Sequence, residues 1–375
     1  MKIISISFIG SDKNAGKTTS LNFVYQKLKS ENQFITSSNC DFVVTSVGIN
    51  GEEFDTYESF DRHKFLKPDI TIYRNDYFIT ATDHLKQLNG QYQIVHVFDG
   101  PKFNKPLMLG RMLYDGKLIL EGPNEKEELL EIKKYLDQAF NPDSNLCFFL
   151  IDGSIDRQFL AHPQISDYFF FSLLLSNRQE QINKANNLLT PLSFKTCSSE
   201  LKCFFINHLS SEQIKSLLIY EDENNNKNNN KKNKNKNNFS VLYKGTEIAF
   251  LDDDLRKCCI KYSTNKTYLY LNSALTKSLS CTLAPFEKMD IILDNFTLYQ
   301  DISTNIPNNN ILMKRLSLLH TINVSALFMR EETKIDKTNY GNYFFKFINN
   351  NKNKQTLINI FRENLDEIRV SQWLN

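Results

Sequence analysis

The feature that most constrains this chain is an apolar, strand-like run that passes directly into a loop of small residues and then into a helix. Residues 3–9, IISISFI, read as a short buried strand, and residues 10–19, GSDKNAGKTT, follow at once. Between Thr18 and Glu31, Leu21, Val24 and Leu28 recur at helical spacing. Strand, loop and helix in this order make a cradle for phosphate oxygens: small residues let backbone N–H groups close around an anion, and the helix N-terminus adds the positive end of its dipole. Lys17 is then placed for β- and γ-phosphates and Thr18 for a magnesium ion. The usual pattern is glycine, four residues, then Gly-Lys-Ser/Thr. Counting back from Gly16-Lys17-Thr18 puts Ser11 at the first glycine position, one residue after Gly10. The expected nucleotide contacts are Gly10, Ser11, Asp12, Lys13, Asn14, Ala15, Gly16, Lys17, Thr18 and Thr19, with ATP and Mg2+ as cofactors. The alternative is a tight turn in which Lys17 is only a solvated lysine.

A phosphate loop of this kind needs a carboxylate delivered beside it by a second buried strand, to hold magnesium or its water shell. Asp152, closing the continuous apolar run LCFFLID, has that form, and the expected catalytic pair is Lys17 with Asp152, the metal pair Thr18 with Asp152. Asp99, in HVFDG, is its rival. The segment VTSVGINGEEFD brings Thr45, Gly48, Gly51, Glu52 and Asp55 to the end of another strand-like run, as a phosphate-approaching loop or a surface turn. Arg74, Arg111 and Arg157 are the candidates for extra positive charge at a transferring phosphoryl group. His63, in DRHKFL, lacks the glycine of an Asp-x-His-x-x-Gly cobalamin motif, since Leu66 stands there.

Strands and helices alternate along much of the chain. DFVVTSVG, DITIY, YFITAT and QIVHVF read as strands, and Asn124, with Glu127 three residues on, reads as the N-cap of a helix carrying Leu129, Ile132, Leu136 and Phe140 on one face. Such alternation predicts an α/β fold: a P-loop NTPase domain with a mostly parallel sheet, plus a second, smaller α/β region. TYLYL, a helix from Thr276, MDIIL and NVSALFM continue the pattern, and Leu357, Ile360, Phe361, Leu365 and Ile368 predict a terminal amphipathic helix. The expected divisions are 1–165 for the NTPase domain, 166–220 for a connecting α/β segment, 221–238 for a linker and 239–375 for the C-terminal region. The linker, EDENNNKNNNKKNKNKNN, has no apolar residue with which to offset the entropy of ordering, so it is expected to be disordered. A net charge of +2 argues against a nucleic-acid binder. The runs CFFLI and YFFFSLLL are too short for a membrane helix, and the first residues lack a cleavage pattern, so a cytoplasmic protein is expected. Seven cysteines without zinc spacing read as free thiols.

The layout Gly10, Asp12, Gly16, Lys17, Thr18 resembles the loop of dethiobiotin synthetase and the MinD-like P-loop proteins. Taken in order, GSDKNAGKTT, TSVGINGEEFD, KPDITIYRNDYFITATD, LILEGPN, LIDGSIDRQFLAHPQISD and LNSALTKSL resemble the reactivase B subunit that accompanies adenosylcobalamin-dependent lysine 5,6-aminomutase. That resemblance implies an ATP-driven protein that opens an inactivated mutase so that damaged cofactor leaves. Its implied partners are the cobalamin-dependent aminomutase and a second reactivase subunit, with Gly16, Lys17 and Thr18 binding ATP and Asp152 and Arg157 near the phosphates. Two other readings stay open at this level: an ATP-dependent small-molecule ligase or kinase, and a scaffold with a decayed loop.

Overall fold

The computed structural model describes residues 2–13, 15–35, 40–50, 70–140, 146–153, 162–176, 178–209, 214–221, 239–246, 253–299, 309–331 and 356–358. The chain is α/β with mixed, mostly parallel sheets, in two compact units: residues 1–185 with 322–375, and residues 186–321. In chain order the first unit contributes β1 (Lys2–Gly10), α1 (Lys17–Ile35), β2 (Cys40–Ser46), β3 (Ile49–Asn50), β4 (Ile70–Ile72), β5 (Tyr77–Ala81), β6 (Tyr92–Phe98), β7 (Leu107–Met112), β8 (Gly116–Leu118), β9 (Leu120–Glu121), α2 (Lys126–Ala139), β10 (Leu146–Asp152) and β11 (Tyr168–Leu175), and α3 (Gln179–Leu189) begins in it. The second unit supplies β12 (Lys195–Thr196), α4 (Ser199–Leu209), β13 (Ser216–Glu221), β14 (Phe239–Gly245), α5 (Asp253–Lys261), β15 (Thr267–Leu271), α6 (Lys277–Leu283), β16 (Met289–Leu293), α7 (Asn309–Lys314) and β17 (Leu316–Leu318). Finally β18 (Val324–Glu331) and β19 (Thr356–Ile358) rejoin the first unit.

The large sheet has the order β19-β18-β11-β1-β10-β2-β5-β7-β6. Among these strands only β7 runs against the rest. From β1 the chain goes on towards β2, and from β11 it goes on towards β18, on the other side. The strand order therefore reverses between β1 and β11, the place where open parallel sheets receive ligands at their carboxyl ends.

Strand alternation assigns the core to two faces. Ile4, Ile6 and Phe8 of β1, Phe148 and Leu150 of β10 and Phe42 and Val44 of β2 pack with Leu21, Val24, Tyr25 and Leu28 of α1. Ile3, Val43, Cys147, Phe149 and Ile151 pack with Leu129, Ile132 and Leu136 of α2 on the other side. Aromatic pairs tie neighbouring strands on the α1 face, Phe8 on Phe170 at 5.3 Å and Phe42 on Phe148 at 5.2 Å between centroids. In the second unit the order is β12-β17-β16-β15-β13-β14, parallel from β12 to β15 and antiparallel beyond.

Several expectations are revised. The N-cap of α2 is Glu125, and its reciprocal partner is Glu128, one residue later than expected on both sides. Glu128 sets this register because it is buried and accepts backbone N–H groups of Asn124, Glu125 and Asn104. The expected terminal helix is replaced at its start by β19, where Leu357 pairs with Leu327; its other positions lie outside the described residues. The units also divide the chain differently from the expected boundaries, since β11 and α3 up to Ala185 belong with β1, and β18 and β19 return to the same sheet. The Asn/Lys tract from residue 222 lies outside the described residues. All seven cysteines are free, and burial pushes the Cys147 thiol up. Among the described residues no helix is long and apolar enough to cross a membrane.

A buried polar cluster ties helix α1 to the turn before β5. Asp76, in the turn before β5, accepts hydrogen bonds from Tyr25 Oη and from Lys29 Nζ at 2.6 Å, and the Lys29 ammonium lies 5.2 Å from the Tyr73 ring centroid. Burial raises the Asp76 carboxyl above its ordinary value of 3.8, outweighing the lowering by Lys29 and Tyr25. A native carboxyl that holds its proton more tightly than the unfolded one stabilises the fold most when protonated. That contribution is lost as pH rises from about 3.8 through the raised native value. Urea denaturation of wild type and Asp76→Asn across that window should therefore show the wild type losing stability relative to the variant as pH rises, with the difference levelling off above it.

Candidate functional site

The loop from Gly10 to Thr18 leaves the carboxyl end of β1 at the point of strand reversal. Ser11, where a glycine is usual, is fully buried: its N–H donates to Ser172 O at 2.8 Å, and its Oγ accepts the Leu174 N–H at 2.9 Å. The main-chain bond extends the pairing of β1 with β11 by one residue, and the hydroxyl adds an acceptor for Leu174 that glycine lacks. Gly10 supplies the closeness instead. A Cβ there would lie 2.7 Å from Lys17 Cγ and 3.1 Å from its Nζ, because the Lys17 side chain folds back across it. Lys17 Nζ donates to the Asp12 carbonyl at 3.5 Å. Gly16 adopts φ +90°, a conformation that favours glycine, and its carbonyl accepts both the N–H and the hydroxyl of Ser20 at 2.9 Å.

Period-two alternation puts Asp152 on the same face of β10 as Phe148 and Leu150, the face covered by α1. There its Oδ2 accepts a 2.9 Å hydrogen bond from Thr18 Oγ1, in the first turn of α1, and both residues are buried. Asp99 does not share this place. It is exposed after β6, five strands from β1, a separation of about 24 Å at normal strand spacing. Lys13 is exposed, Ala15 buried, and Thr19 half-buried.

Beside Asp152, β2 ends at Ser46, which is in register with it. The ribbon of β3 with β9 crosses this end so tightly that a Cβ on Gly122 would lie 1.9 Å from the Ser46 carbonyl oxygen and 2.6 Å from Thr45 Oγ1. Thr45 Oγ1 donates to Ile79 O at 3.1 Å, and Gly48 has φ +66°. Gly51, Glu52, Asp55, His63, Asn14 and Arg157 lie outside the described residues. Arg74 and Arg111 are at the amino end of β5, where Arg111 pairs across from Tyr77, so they sit at the sheet edge opposite the loop.

Two groupings in the first unit are not foreseen from the sequence. Lys184 of α3 pairs with the Asp12 carboxylate at 3.3 Å and with Glu180 at 3.0 Å. The Lys184 ammonium is raised above its ordinary value, first by the Glu180 hydrogen bond and then by Asp12. Glu121 of β9 is held by His84 Nε2 at 2.8 Å and by Lys105, while its N–H donates to Thr80 Oγ1. A carboxylate before Gly-Pro in LILEGPN is the signal that marks Glu121. In the second unit Tyr270 Oη donates to Asp294 Oδ1 at 2.9 Å at the carboxyl ends of β15 and β16, and burial raises the phenol.

Comparison with family models, curated proteins and solved structures gives no match for this chain.

Gly122→Ala forces a methyl group onto a backbone carbonyl, so it should cost about 2–4 kcal/mol of stability. Urea denaturation checks this, with Gly90→Ala as the control: that glycine has open space around it, so only the strain of its φ of +76° enters.

Proposed function

We propose that the chain is a cytoplasmic, ATP-binding and ATP-hydrolysing accessory protein that acts on a protein partner, through a P-loop formed by residues 10–19. The observation that carries this reading is the 2.9 Å hydrogen bond between Thr18 and Asp152, made where Lys17 lies folded over Gly10 and α1 starts. Strand, loop and helix supply N–H groups and a dipole end to an anion, Lys17 supplies a cation, and Asp152 arrives from the adjacent parallel strand.

A hydroxyl and a carboxylate form an all-oxygen donor set, which suits magnesium better than a thiophilic metal. Thr18 and Asp152 would hold it. Magnesium would supply charge neutralisation to the β- and γ-phosphates. The side chain of Lys17 has to swing off the Asp12 carbonyl to meet those oxygens, and the absence of a Cβ on Gly10 leaves it the path. Asp152 also links the site to the rest of the sheet edge: the Val47 N–H donates to the Asp152 carbonyl at 2.9 Å, and Gly48 follows. A shift of Asp152 on nucleotide binding would thus be felt in the chain after β2.

The partner we favour is a cobalamin-dependent aminomutase, assisted by a second reactivase subunit, as the resemblance of the ordered segments implies. For such a protein, ATP-bound and ATP-free forms must differ in affinity for closed and open mutase, because only differential binding shifts that equilibrium. Exposed Ile94, Val95 and Val97 on β6, the last strand in the sheet order, support a protein partner: that strand has no charged residue to discourage pairing. The second reading is an ATP-dependent ligase or kinase acting on a metabolite. It is favoured by the Glu121, His84 and Lys105 grouping, which lies on the β9 ribbon that crosses the end of β2 and offers polar contacts to a small substrate.

ATP hydrolysis measured with and without inactivated aminomutase, while released cobalamin is followed, separates the two. Hydrolysis coupled to release supports the reactivase, whereas turnover that needs one metabolite and no protein supports the ligase or kinase. Lys17→Ala should lower kcat by about 10² or more while the circular dichroism spectrum stays unchanged. Unaltered ATP affinity and hydrolysis in that variant would remove the nucleotide assignment.

A further inference from the structure

We infer that Lys184 is a positioning residue of the nucleotide site that works through Asp12, an inference that rests on the ATP-binding reading above. A carboxylate in a phosphate loop is an electrostatic problem. Asp12 Oδ1 already accepts the Lys13 N–H at 2.8 Å, so a negative charge occupies part of the loop's own donor set. Left uncompensated, it repels a polyphosphate. Lys184 Nζ lies 3.3 and 3.4 Å from the two Asp12 oxygens and neutralises them from the side of α3.

The placement follows from the sheet. Helix α3 succeeds β11, the strand on one side of β1, whereas Asp152 comes from β10 on the other side. The loop is therefore held from both flanks, by a hydroxyl–carboxylate bond at Thr18 and by an ion pair at Asp12. Asp12 also carries the second consequence, since its carbonyl accepts Lys17 Nζ. One residue positions both lysines, Lys17 through its main chain and Lys184 through its side chain. Glu180 steadies Lys184 from one turn earlier, but its side chain is 78% exposed, so water screens its charge more than that of Asp12, at 17%.

The test is titration of the full chain with a fluorescent ATP analogue and magnesium, for wild type, Lys184→Met, Lys184→Arg, Asp12→Asn and the double variant Asp12→Asn/Lys184→Met. Lys184→Met should weaken binding about five- to tenfold by restoring the repulsion. Lys184→Arg should stay close to wild type. In the Asp12→Asn background the Lys184→Met change should cost less than about twofold, because no charge remains to be neutralised. A merely structural role for Lys184 would not be rescued by changing Asp12. Unchanged affinity in Lys184→Met overturns the inference and leaves the ATP reading standing. A loss of about five- to tenfold on adding Lys184→Met to Asp12→Asn also overturns it, by assigning Lys184 a direct nucleotide contact. Failure of the wild type to bind overturns the ATP reading and this inference together.

Discussion

Everything at the candidate site depends on the register between two parallel strands. β1 and β10 pair with Phe8 opposite Asp152, so the two chains run out at the same edge of the sheet and at nearly the same height. Because side chains alternate, this register also decides which face Asp152 occupies. A slip of one residue would turn its carboxylate towards α2 and away from Thr18. The register is held by apolar residues on both faces, Ile4, Ile6 and Phe8 with Phe148 and Leu150 on one and Ile3 with Phe149 and Ile151 on the other. Packing that looks purely structural thus fixes the distance between a hydroxyl and a carboxylate to hydrogen-bonding range.

The polar residues within β1 show the same economy. Ser5 and Ser7 interrupt an otherwise apolar strand, and both are buried. The Ser7 hydroxyl lies 2.5 Å from that of Ser166, and the Ser5 N–H donates to Asp167, so the segment that enters β11 is tied to β1 before the two strands begin to pair. Ser172 then meets Ser20 of α1 at 2.9 Å. Small hydroxyls thus tie the entry of β11 to β1 on the α2 face, through Ser7 and Ser166, and β11 to α1 on the other, through Ser172 and Ser20.

Much of this was legible in the sequence because it depends on local pattern. The strand before Gly10, the helix after Lys17, the run ending in Asp152 and the helix that starts at Thr276 are each set by neighbours in the chain, and the structure places them so, with Thr276 as the cap. What the sequence did not disclose depends on contacts between distant segments. Lys184 meets Asp12 only because β11 lies next to β1, and Glu121 gathers His84 and Lys105 only because β9 crosses the end of β2. β7 escaped notice because Gly110 breaks its pattern, a glycine whose Cβ would lie 2.5 Å from the Phe78 ring. The shift of the α2 cap to Glu125 has the same origin, since the buried Glu128 answers to Asn104, a residue outside the helix.

The insertion of the second unit between β11 and β18 has a consequence for how the protein is made. Two neighbouring parallel strands need a connection of only a dozen or so residues, yet here an entire six-stranded sheet is built before the chain returns. At ordinary rates of synthesis this delay is on the order of ten seconds. Throughout it the outer edge of Tyr-Phe-Phe-Phe-Ser-Leu-Leu-Leu awaits its partner. An uncharged, apolar edge of this kind is a ready template for mispairing, and the speed with which residues 186–321 fold sets how long it stays open.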